Sequence, residues 1–553
     1  MLKRVHRGLA ADRVCVTTLV LATVVACSAG VARTGVGPVD LAAEALPAFV
    51  FGEFGGVSRA TLETSALPYK VVATALIIRE ERTRTTRLGR ADIPSVYRQF
   101  GFLYPARIAN WPPNVPAPRF ERPIGTVGHT LVGPTALVRV DAVNIGCATC
   151  HSGPLYGSDG RATDTVWVGS PNTSINLEAY TQAVYQGLKL AMADPTGFRH
   201  RIVALFPETG SRERFTLHRF LLPRIAKRLR EFAAAGDAPL PFSNGAPGIT
   251  NGVAALKRML GVPRHDPGLA EVGFTSIPDL STRALRSSLL SDGVYAPIGA
   301  DRFAPRDRAH IGPSHLDSLA QIVAFFTVST MGVTADVGEK AIPAIRPVVA
   351  WLATGYTSPP FPGPIDTARM RAGEVLFSTR CASCHGTYAE GRPRSLESFP
   401  NRFVAQESIG TDSMRWQMVD SLLLMKLRNN AYARHMTSAR TGGYVAPILS
   451  GLWATAPYLH NGSVPTIWQL MTPSERPAEF ELGGHALDYD KLGIAARPDE
   501  DGVYRYPSGY TPWSTPELYD TRKPGMSNRG HERQFAGLTE DEKRALIEYL
   551  KTL

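Results

Sequence analysis

The sequence predicts a mainly α-helical protein with extensive loops, few short strands and two similar domains. Apolar residues recur with helical periodicity over residues 177–192, 218–235 and 316–331. The chain also holds 50 glycines and 43 prolines among its 553 residues, so much of it should be loop. One Cys-x-x-Cys-His motif occurs in each half of the chain, which indicates two domains built around the same chemistry.

The second of these motifs consists of Cys381, Cys384 and His385 and is the attachment signature of c-type haem. At this spacing, two thiols reach the vinyl groups of one porphyrin, and the next residue turns its imidazole onto the iron. Gly373, Phe377 and Cys381 follow one another at intervals of four, so they share one face of a helix. This spacing resembles the first helix of class I cytochromes c and implies a cytochrome c-like haem domain.

The first motif consists of Cys147, Cys150 and His151. Taken alone, it also fits a redox dithiol or half of a zinc site. Two copies in a chain of only six cysteines favour two covalently bound haem c groups, because a zinc site would need further cysteines nearby. Residues 136–145 are partly apolar and β-branched, which predicts a short strand leading into this motif.

Residues 1–26 have the pattern of an export signal, with basic residues followed by the apolar run Val14–Ala26. That run is too short to span a bilayer, and no later segment has a transmembrane pattern. Cys27 follows a lipobox-like Val-Val-Ala and would carry a lipid anchor, but ordinary cleavage after Ala26 explains the same residues. We therefore expect an exported protein that is periplasmic, anchored to a membrane as a lipoprotein, or secreted.

The exported chain is expected to divide at its loop-rich segments. Residues 27–130 should form an irregular N-terminal wrap, since they are rich in Ala, Gly, Pro and Arg. Residues 131–331 should form the first haem c domain and residues 364–553 the second. Residues 332–363 should link the two, because they contain many prolines and glycines.

The C-terminal helix is predicted to close the second haem domain. A capping box at residues 539–542 marks its start. An apolar face with helical spacing follows: Leu546, Tyr549, Leu550 and Leu553. In cytochromes c the last helix crosses the first at a small residue. By that resemblance, Tyr549 and Leu550 should pack against Gly373 and Phe377.

The axial ligands of the two irons decide what such a protein does. The motifs supply His151 for the first iron and His385 for the second. An iron with two protein ligands passes electrons, whereas an iron with one open side binds peroxide or dioxygen. In the loop before the last helix, His531 is the stronger candidate for the second iron and Met526 is the rival. Both could instead decorate a surface turn.

A longer resemblance lies around His460. Residues 456–466 resemble a tract of the bacterial dihaem cytochrome c peroxidase superfamily, which includes the tryptophan-modifying enzyme MauG. Trp453-Ala454-Thr455 before this tract and Gly530-His531-Glu532 near the end of the chain are most similar to the RoxA-like, rubber oxygenase-like branch. The resemblance covers roughly residues 140–553 and has its sharpest motifs in the second half.

This resemblance implies two cytochrome c-like domains around two haems, with long loops. It also implies that His531 is the distal ligand of the second haem and that the first haem keeps an open or oxygen-bearing face. Two departures leave the substrate open. Ser291 stands where related sequences carry tryptophan before an Asp-Gly pair, and residues 170–176 lack the arginine that peroxidases carry there.

The predicted function is that of an exported dihaem oxidoreductase. His151 would anchor the reactive haem, whose open face takes peroxide or dioxygen. The second haem, held by His385 and His531, would transfer electrons. His460 would act in the haem pocket or on the electron path, unless it serves only as a hydrogen-bonding group that fixes a turn. Trp453 is the first choice for an aromatic side chain beside the haems.

Two other functions remain open at this stage. With both irons six-coordinate, the protein would be a non-catalytic electron-transfer cytochrome c. It could also be a haem-bearing sensor or assembly protein on the cell surface. The formal charge of +11 is compatible with docking to an acidic redox partner protein. Nucleic acid is not expected as a partner, because the protein is predicted to leave the cytoplasm.

Overall fold

The predicted export signal, residues 1–26, and Cys27 lie outside the described part of the chain. The computed structural model describes residues 38–52, 67–132, 139–234, 236, 242–263, 271–325 and 335–553. From Pro38 to Leu553, the chain forms one compact unit. Within the described residues, no helix combines the length and the apolar character needed to cross a bilayer.

The helices of the described chain range from single turns to a 20-residue segment. In chain order they are α1 (Pro38–Phe51), α2 (Tyr69–Glu81), α3 (Ile93–Arg98), α4 (Cys147–Cys150), α5 (Leu177–Ala193), α6 (Pro195–Leu205), α7 (Ser211–Thr216), α8 (Leu222–Ala234), α9 (Gly252–Met259), α10 (Pro313–Val323), α11 (Ala335–Thr354), α12 (Thr367–Arg380), α13 (Ala382–His385), α14 (Gln406–Ile409), α15 (Met414–Gln417), α16 (Ser421–Arg428), α17 (Ile467–Met471), α18 (Glu532–Phe535) and α19 (Glu540–Leu550). Short 3-10 turns include Arg283–Leu285 and Leu452–Ala454.

The strands are short and form several small sheets. In chain order they are β1 (Leu67–Pro68), β2 (Arg107–Ile108), β3 (Thr126–Val132), β4 (Arg139–Ile145), β5 (Ser152–Tyr156), β6 (Ala162–Val168), β7 (Ile249–Thr250), β8 (Thr275–Ser276), β9 (Tyr295–Pro297), β10 (Arg306–Asp307), β11 (Thr387–Ala389), β12 (Ser395–Phe399), β13 (Phe403–Ala405), β14 (Met436–Ser438), β15 (Gly443–Val445), β16 (Glu479–Leu482), β17 (Leu487–Asp488), β18 (Gly493–Ile494), β19 (Arg497–Pro498), β20 (Tyr504–Arg505) and β21 (Glu517–Asp520). The larger sheets have the orders β1-β4-β3, β2-β6-β5, β10-β12-β11 and β19-β20-β16-β21.

The prediction of a mainly α-helical fold with few short strands was wrong. The structure is 43% helical and 15% strand, so the protein is a mixed α/β protein with many small sheets. The reason lies in how its strands pair. Ala296 of β9 pairs with Thr437 of β14, 141 positions away in the sequence. Such two- and three-residue strands exist only through distant pairing, so they leave no periodic signal in the local sequence.

Helical periodicity located three helices of the described chain correctly. The helix predicted for residues 177–192 is α5. The helix predicted for 218–235 is α8, preceded by a π-helical turn at Leu217–Leu221. The helix predicted for 316–331 corresponds to α10, and its last predicted residues lie beyond the described range ending at 325. These segments are long and amphipathic, which is the situation in which periodicity is most informative.

Two segments predicted to be irregular contain well-formed helices. Residues 27–130 include α1, α2 and α3, and every side chain from Tyr69 to Ile77 on α2 is buried. Residues 332–363 include α11, which packs against α1 and α10 although Pro343 and Pro347 lie inside it. Composition alone predicted loops here, because it does not register the tertiary contacts that hold a helix containing proline. The domain boundaries themselves stay predictions.

The first motif is reached along a β-hairpin. Strands β3 and β4 pair antiparallel, with Thr126 opposite Ile145, and the chain enters α4 directly afterwards. Gly125 has a φ of +77°, and a Cβ atom there would lie 2.0 Å from the Thr149 backbone nitrogen. Only glycine therefore lets the hairpin approach α4 this closely. The strand predicted before the first motif is confirmed over residues 139–145.

The second motif is reached along a helix. Helix α12 crosses α19 at Gly373, where a Cβ atom would lie 2.0 Å from the carbonyl oxygen of Ala545. Beside the crossing, the rings of Phe377 and Tyr549 lie 4.9 Å apart. The capping box predicted at residues 539–542 is present. The predicted crossing of the first and last helices of this region is confirmed.

Buried apolar side chains of the described chain form clusters on several sides of the two motifs. One cluster joins α1, α10 and α11, and includes Phe49. A second surrounds α12 and α19, and includes Phe377. A third joins α2, α5 and α6, and includes Val72. Phe49, Phe377 and Val72 all line the same cavity, so the cavity lies where these clusters meet.

Candidate functional site

Each motif forms a short helical turn that leads to its histidine. The backbone nitrogen of His151 donates to the carbonyl oxygen of Cys147 at 3.0 Å. The backbone nitrogen of His385 donates to the carbonyl oxygen of Cys381 at 2.9 Å. Each histidine therefore stands one turn after the first cysteine of its motif. The described cysteines, which are the four motif cysteines, are all free thiols.

The two motif histidines are oriented in the same way. The Nδ1 atom of His151 lies 3.2 Å from the carbonyl oxygen of Pro278, and Nδ1 of His385 lies 2.8 Å from that of Pro447. A carbonyl oxygen can only accept, so each Nδ1 carries the proton and donates it. Each Nε2 is then left with a free lone pair, which is the arrangement typical of metal-ligating histidines.

Burial sets the protonation states of these groups. It lowers the pKa of His151 to about 4 and also lowers that of His385, so both imidazoles are neutral at neutral pH. Burial raises the pKa of Cys147 and Cys150 to about 12 and that of Cys381 to about 11. Thiols that stay protonated at neutral pH are poor nucleophiles, so this environment argues against a redox dithiol.

One large cavity adjoins both motifs. Its volume is about 1060 Å³, at the upper end of the range typical of ligand pockets. Its wall is mostly apolar, and it includes the following motif residues and histidines: Cys147, Cys150, His151, Cys381, Cys384, His385, His460 and His531. A large, flat, mostly apolar group with a metal at its centre fits this donor set. The residues present therefore fit haem c at both motifs.

His531 lies on the cavity wall near the second motif. Its backbone has a φ of +68°, and its imidazole stacks on Phe535 with ring centres 6.0 Å apart. Its Nδ1 atom is buried and has no hydrogen-bond partner. Burial first, and then the nearby charge of His385, lower the pKa of His531 to about 3. A buried, neutral imidazole close to His385 fits the predicted second ligand of that iron.

The loop that carries His531 is held by one arginine. Arg476 donates to the carbonyl oxygens of Asn528 at 2.6 Å and Gly530 at 2.9 Å, and it pairs with Glu532 at 2.9 Å. These contacts fix the backbone on both sides of His531. Met526, the rival ligand, is not among the described residues that line the cavity. The geometry therefore favours His531 over Met526.

His460 also lies on the cavity wall, in contact with Tyr444. The Nε2 atom of His460 lies 3.0 Å from the Tyr444 hydroxyl, and the two rings stack at 4.2 Å. The hydroxyl donates its own proton to the carbonyl oxygen of Asp412, so it must accept from His460. Burial, and then the charge of Arg415, lower the pKa of His460 to about 3. The imidazole is therefore neutral, with Nε2 protonated.

Trp453, the predicted aromatic beside the haems, lies in the core instead. Its indole nitrogen donates to the carbonyl oxygen of Pro359 at 2.9 Å. Its ring packs on Tyr156 and Phe361, with centres 6.4 Å and 5.8 Å away. It is not among the described residues that line the cavity. Trp453 therefore packs the segments of Tyr156 and Phe361 together. The aromatic side chain next to His460 is Tyr444.

Several residues of the site were missed at the sequence level. Pro278 and Pro447 orient the two motif histidines, yet each follows its histidine by 127 and 62 positions. Their common Pro-x-Leu context, at residues 278–280 and 447–449, was the available signal. The buried carboxyl group of Asp279 accepts from Tyr356 at 2.9 Å and Ser358 at 3.0 Å, and burial raises its pKa to about 6.

A comparison with protein families supports a cytochrome assignment for part of this site. Residues 443–481 match the family described as RoxA-like, cytochrome c-like. The chain therefore carries a RoxA-like cytochrome c-like domain at these residues. The matched segment contains Tyr444 and His460 but neither Cys-x-x-Cys-His motif. The wider assignment to the dihaem peroxidase superfamily stays a prediction.

Two curated proteins of Sinorhizobium fredii (strain NBRC 101917 / NGR234) are similar to part of the chain. Uncharacterized protein y4iM is 31% identical over 238 residues, which cover 37% of this chain and 53% of that protein. Uncharacterized protein y4iJ is 32% identical over 278 residues, which cover 39% of this chain and 44% of that protein. The chain thus spans about half the length of these relatives. Their names state no activity.

Proposed function

We propose that this protein is an exported dihaem c-type oxidoreductase in which the two haems have different tasks. The haem held by Cys147, Cys150 and His151 would be the reactive centre, with one face open to peroxide or dioxygen. The haem attached at the second motif, with His385 and His531 as axial ligands, would transfer electrons to it. The coarser statement, a cytochrome c-type function, rests on the RoxA-like match.

The observation that carries this proposal is the asymmetry between the two motif histidines. A second imidazole, that of His531, is close enough to His385 for the charge of one to lower the pKa of the other. For His151, the only described charge that shifts its pKa is that of Arg283. An iron with two imidazole ligands would transfer electrons, and an iron with one would bind an oxidant on its open side. The proposal assigns the first task to the second haem and the second task to the first haem.

The residues of the chain have distinct tasks in this scheme. When bound, haem c supplies an iron that changes oxidation state and, where a coordination position is free, binds a small oxidant. Pro278 holds His151 in the tautomer that presents Nε2. The apolar wall excludes water from the reacting face. Tyr444 holds the neutral His460 in the cavity wall, where its imidazole is available as a polar group or as part of an electron path.

The cellular setting is part of the proposal. Export would place the protein in the periplasm, on a membrane through a lipid at Cys27, or outside the cell. A reduced partner protein would deliver electrons, and the basic net charge, +11 for the full chain including the predicted export signal, is compatible with an acidic partner. Reduction of one peroxide to two waters takes two electrons and two protons, which the partner and the solvent would supply.

A spin-state spectrum of the purified exported protein tests this proposal. We expect one low-spin and one high-spin ferric haem per chain, and we expect cyanide and peroxide to bind only the high-spin haem. The measurement is repeated after adding one electron per chain, since reduction of the second haem can open the first. Two low-spin haems that bind neither ligand in either state would contradict the oxidoreductase.

The second candidate function is a non-catalytic electron-transfer cytochrome c. It is favoured by His460, a buried neutral imidazole on the wall of the same cavity. If His460 left Tyr444 and coordinated the first iron, both irons would be six-coordinate. The variant His460→Ala separates the two functions. It should create a high-spin haem if the protein is an electron carrier, and it should leave the spin states unchanged if it is an oxidoreductase.

A further inference from the structure

Besides the exposed Arg380, the described cavity wall contains two arginines to which the proposed function gives no task, Arg283 and Arg286. They lie on and directly after the 3-10 turn Arg283–Leu285, a few residues beyond Pro278. Both line the cavity, and Arg286 is only 3% exposed. Two cations this close together in a mostly apolar wall are costly unless an anion meets them.

The charges of Asp279 and Asp292 act on Arg283 and Arg286, but the protein brings neither carboxylate into an ion pair with them. Arg283 donates from Nε and Nη2 to the carbonyl oxygen of Asp279, at 2.8 Å and 2.6 Å. Arg286 donates from Nε to the carbonyl oxygen of Ser288 at 3.0 Å and from Nη2 to that of Leu290 at 2.7 Å. In the described chain, neither guanidinium forms an ion pair with a carboxylate, and neither Nη1 has a hydrogen-bond partner. Each guanidinium is therefore held in place by backbone carbonyl oxygens and keeps N–H groups that can donate to a ligand.

Both of these carboxyl groups are engaged elsewhere, and Asp292 forms an ion pair with Arg415 at 3.4 Å. The carboxyl group of Asp279 accepts from Tyr356, Ser358 and the backbone nitrogen of Ser281. Burial, and then the charge of Arg283, lower the pKa of Arg286 to about 9, against the opposing charge of Asp292. The two guanidinium groups therefore repel each other across a region of low polarity, which a bound carboxylate would relieve.

The two arginines also lie between the motifs. Arg283 is held by the carbonyl oxygen of Asp279, the residue after Pro278, whose own carbonyl oxygen accepts from His151. The guanidinium of Arg286 lies 6.0 Å from the ring of Phe399, on β12, the strand next to β11 that follows the second motif. Both arginines are thus within reach of groups held at either motif.

We infer that Arg283 and Arg286 form a binding site for haem propionates at the junction of the two haem sites. This inference rests on the proposed function, because it needs haem in the cavity. Each haem brings two propionate carboxylates on an otherwise apolar ring. A planar guanidinium group matches a carboxylate in geometry and charge. Backbone carbonyl oxygens hold both guanidinium groups in place before haem binds. The pair thereby raises the reduction potential of the haem it binds, since nearby positive charge disfavours the ferric state.

The test uses the full-length holoprotein with Arg283→Gln and Arg286→Gln, together with the charge-keeping variants Arg283→Lys and Arg286→Lys. Arg308→Gln is the matched control, because Arg308 is exposed and does not line the cavity. Three quantities are measured: the haem content per chain, the midpoint potential of each haem, and the infrared carboxyl band of propionates labelled with ¹³C. The haem is labelled biosynthetically from its ¹³C-labelled precursor.

We expect haem content to stay at the wild-type level, because the thioether links hold the haem. The Gln variants should lower the midpoint potential of at least one haem and shift the labelled carboxyl band. The Lys variants should restore most of the potential but not the band, since lysine keeps the charge and loses the fork. Arg308→Gln should change neither quantity. If a Gln variant does not accumulate, the band shift in the matching Lys variant decides the question.

Unchanged potentials and an unchanged labelled band in haem-loaded variants would overturn this inference and leave the proposed function intact. A wild-type protein without covalent haem would overturn the proposed function instead. If formate added to the wild-type holoprotein shifts the potential in an Arg286-dependent way while the labelled band does not respond to substitution, the site takes an external anion and the propionate assignment is wrong.

Discussion

The two motif regions have the same five-residue pattern but reach it in different ways. The first follows the hairpin of β3 and β4, and the second follows helix α12, which is locked against α19 at Gly373. In both regions the histidine points its Nδ1 at a proline carbonyl. The orientation of the motif histidine thus does not depend on whether a strand or a helix precedes the motif. The regions differ in the charged groups near each histidine: His531 and His385 are close enough to interact electrostatically, whereas Arg283 is the described charge that acts on His151.

The largest expected effect comes from removing one attachment site. The double substitution Cys381→Ser and Cys384→Ser should leave one covalent haem per chain, because no other described cysteine lines the second site. The equivalent pair Cys147→Ser and Cys150→Ser should also leave one haem. Intact-mass spectrometry counts the haems. If either double variant kept two covalent haems, the motifs would not be the attachment sites.

The next effect distinguishes the two regions by their axial ligands. His531→Gly should convert the low-spin haem to high spin, because the buried imidazole near His385 would be lost. His151→Gly should abolish oxidant binding and leave the low-spin signal largely intact. Electron paramagnetic resonance of the ferric protein measures both. Should the low-spin signal survive in His531→Gly, His531 is not the ligand, and Met526 is the next residue to test.

A third prediction concerns the helix crossing that only the second region has. In a lone helix, alanine is more stable than glycine by roughly 1 kcal/mol. A Cβ atom at residue 373, however, would meet the carbonyl oxygen of Ala545 at 2.0 Å. Gly373→Ala should therefore lower the free energy of unfolding by roughly 2–3 kcal/mol. Urea unfolding measures it, and Gly210→Ala is the control, since nothing lies within 4 Å there.

The last effect depends on pH and is expected at a contact between the two halves of the chain. His485 is 1% exposed, lies 3.5 Å from the Tyr156 hydroxyl, and has a pKa lowered by burial to about 4. The unfolded chain binds a proton at this histidine near pH 6.5, whereas the folded protein does not until about pH 4. Stability should therefore fall as the pH drops from about 6.5 towards 4, by at most about 1.4 kcal/mol per pH unit.

The variant His485→Gln removes this contribution and should flatten the pH dependence of unfolding over that range. Urea titrations at several pH values between neutral and acidic conditions measure the slope. His310→Gln serves as the control because His310 is exposed. An unchanged slope in His485→Gln would mean that the acid sensitivity comes from other buried histidines, such as His460.

The sequence was sufficient for features that depend on neighbours in the chain. The motifs and the capping box at residues 539–542 follow from local spacing, and the crossing at Gly373 was predicted from the resemblance to cytochromes c. Strand β4 was predicted, but strands such as β9 were not, since β9 pairs with β14 across 141 positions. Tyr444 and Arg286 were missed for the same reason. Their importance depends on the cavity that distant segments enclose, and nothing in their local sequence marks it.

The proline contacts of the two histidines also bear on the order of events during folding. The His151–Pro278 contact closes a loop of 127 positions, and the His385–Pro447 contact closes one of 62. Doubling a loop costs only about 0.6 kcal/mol in closure entropy, yet longer-range contacts also form more slowly. The second imidazole should therefore acquire its final orientation first. During maturation, the enzyme that attaches haem at the first motif would meet a histidine that still rotates freely.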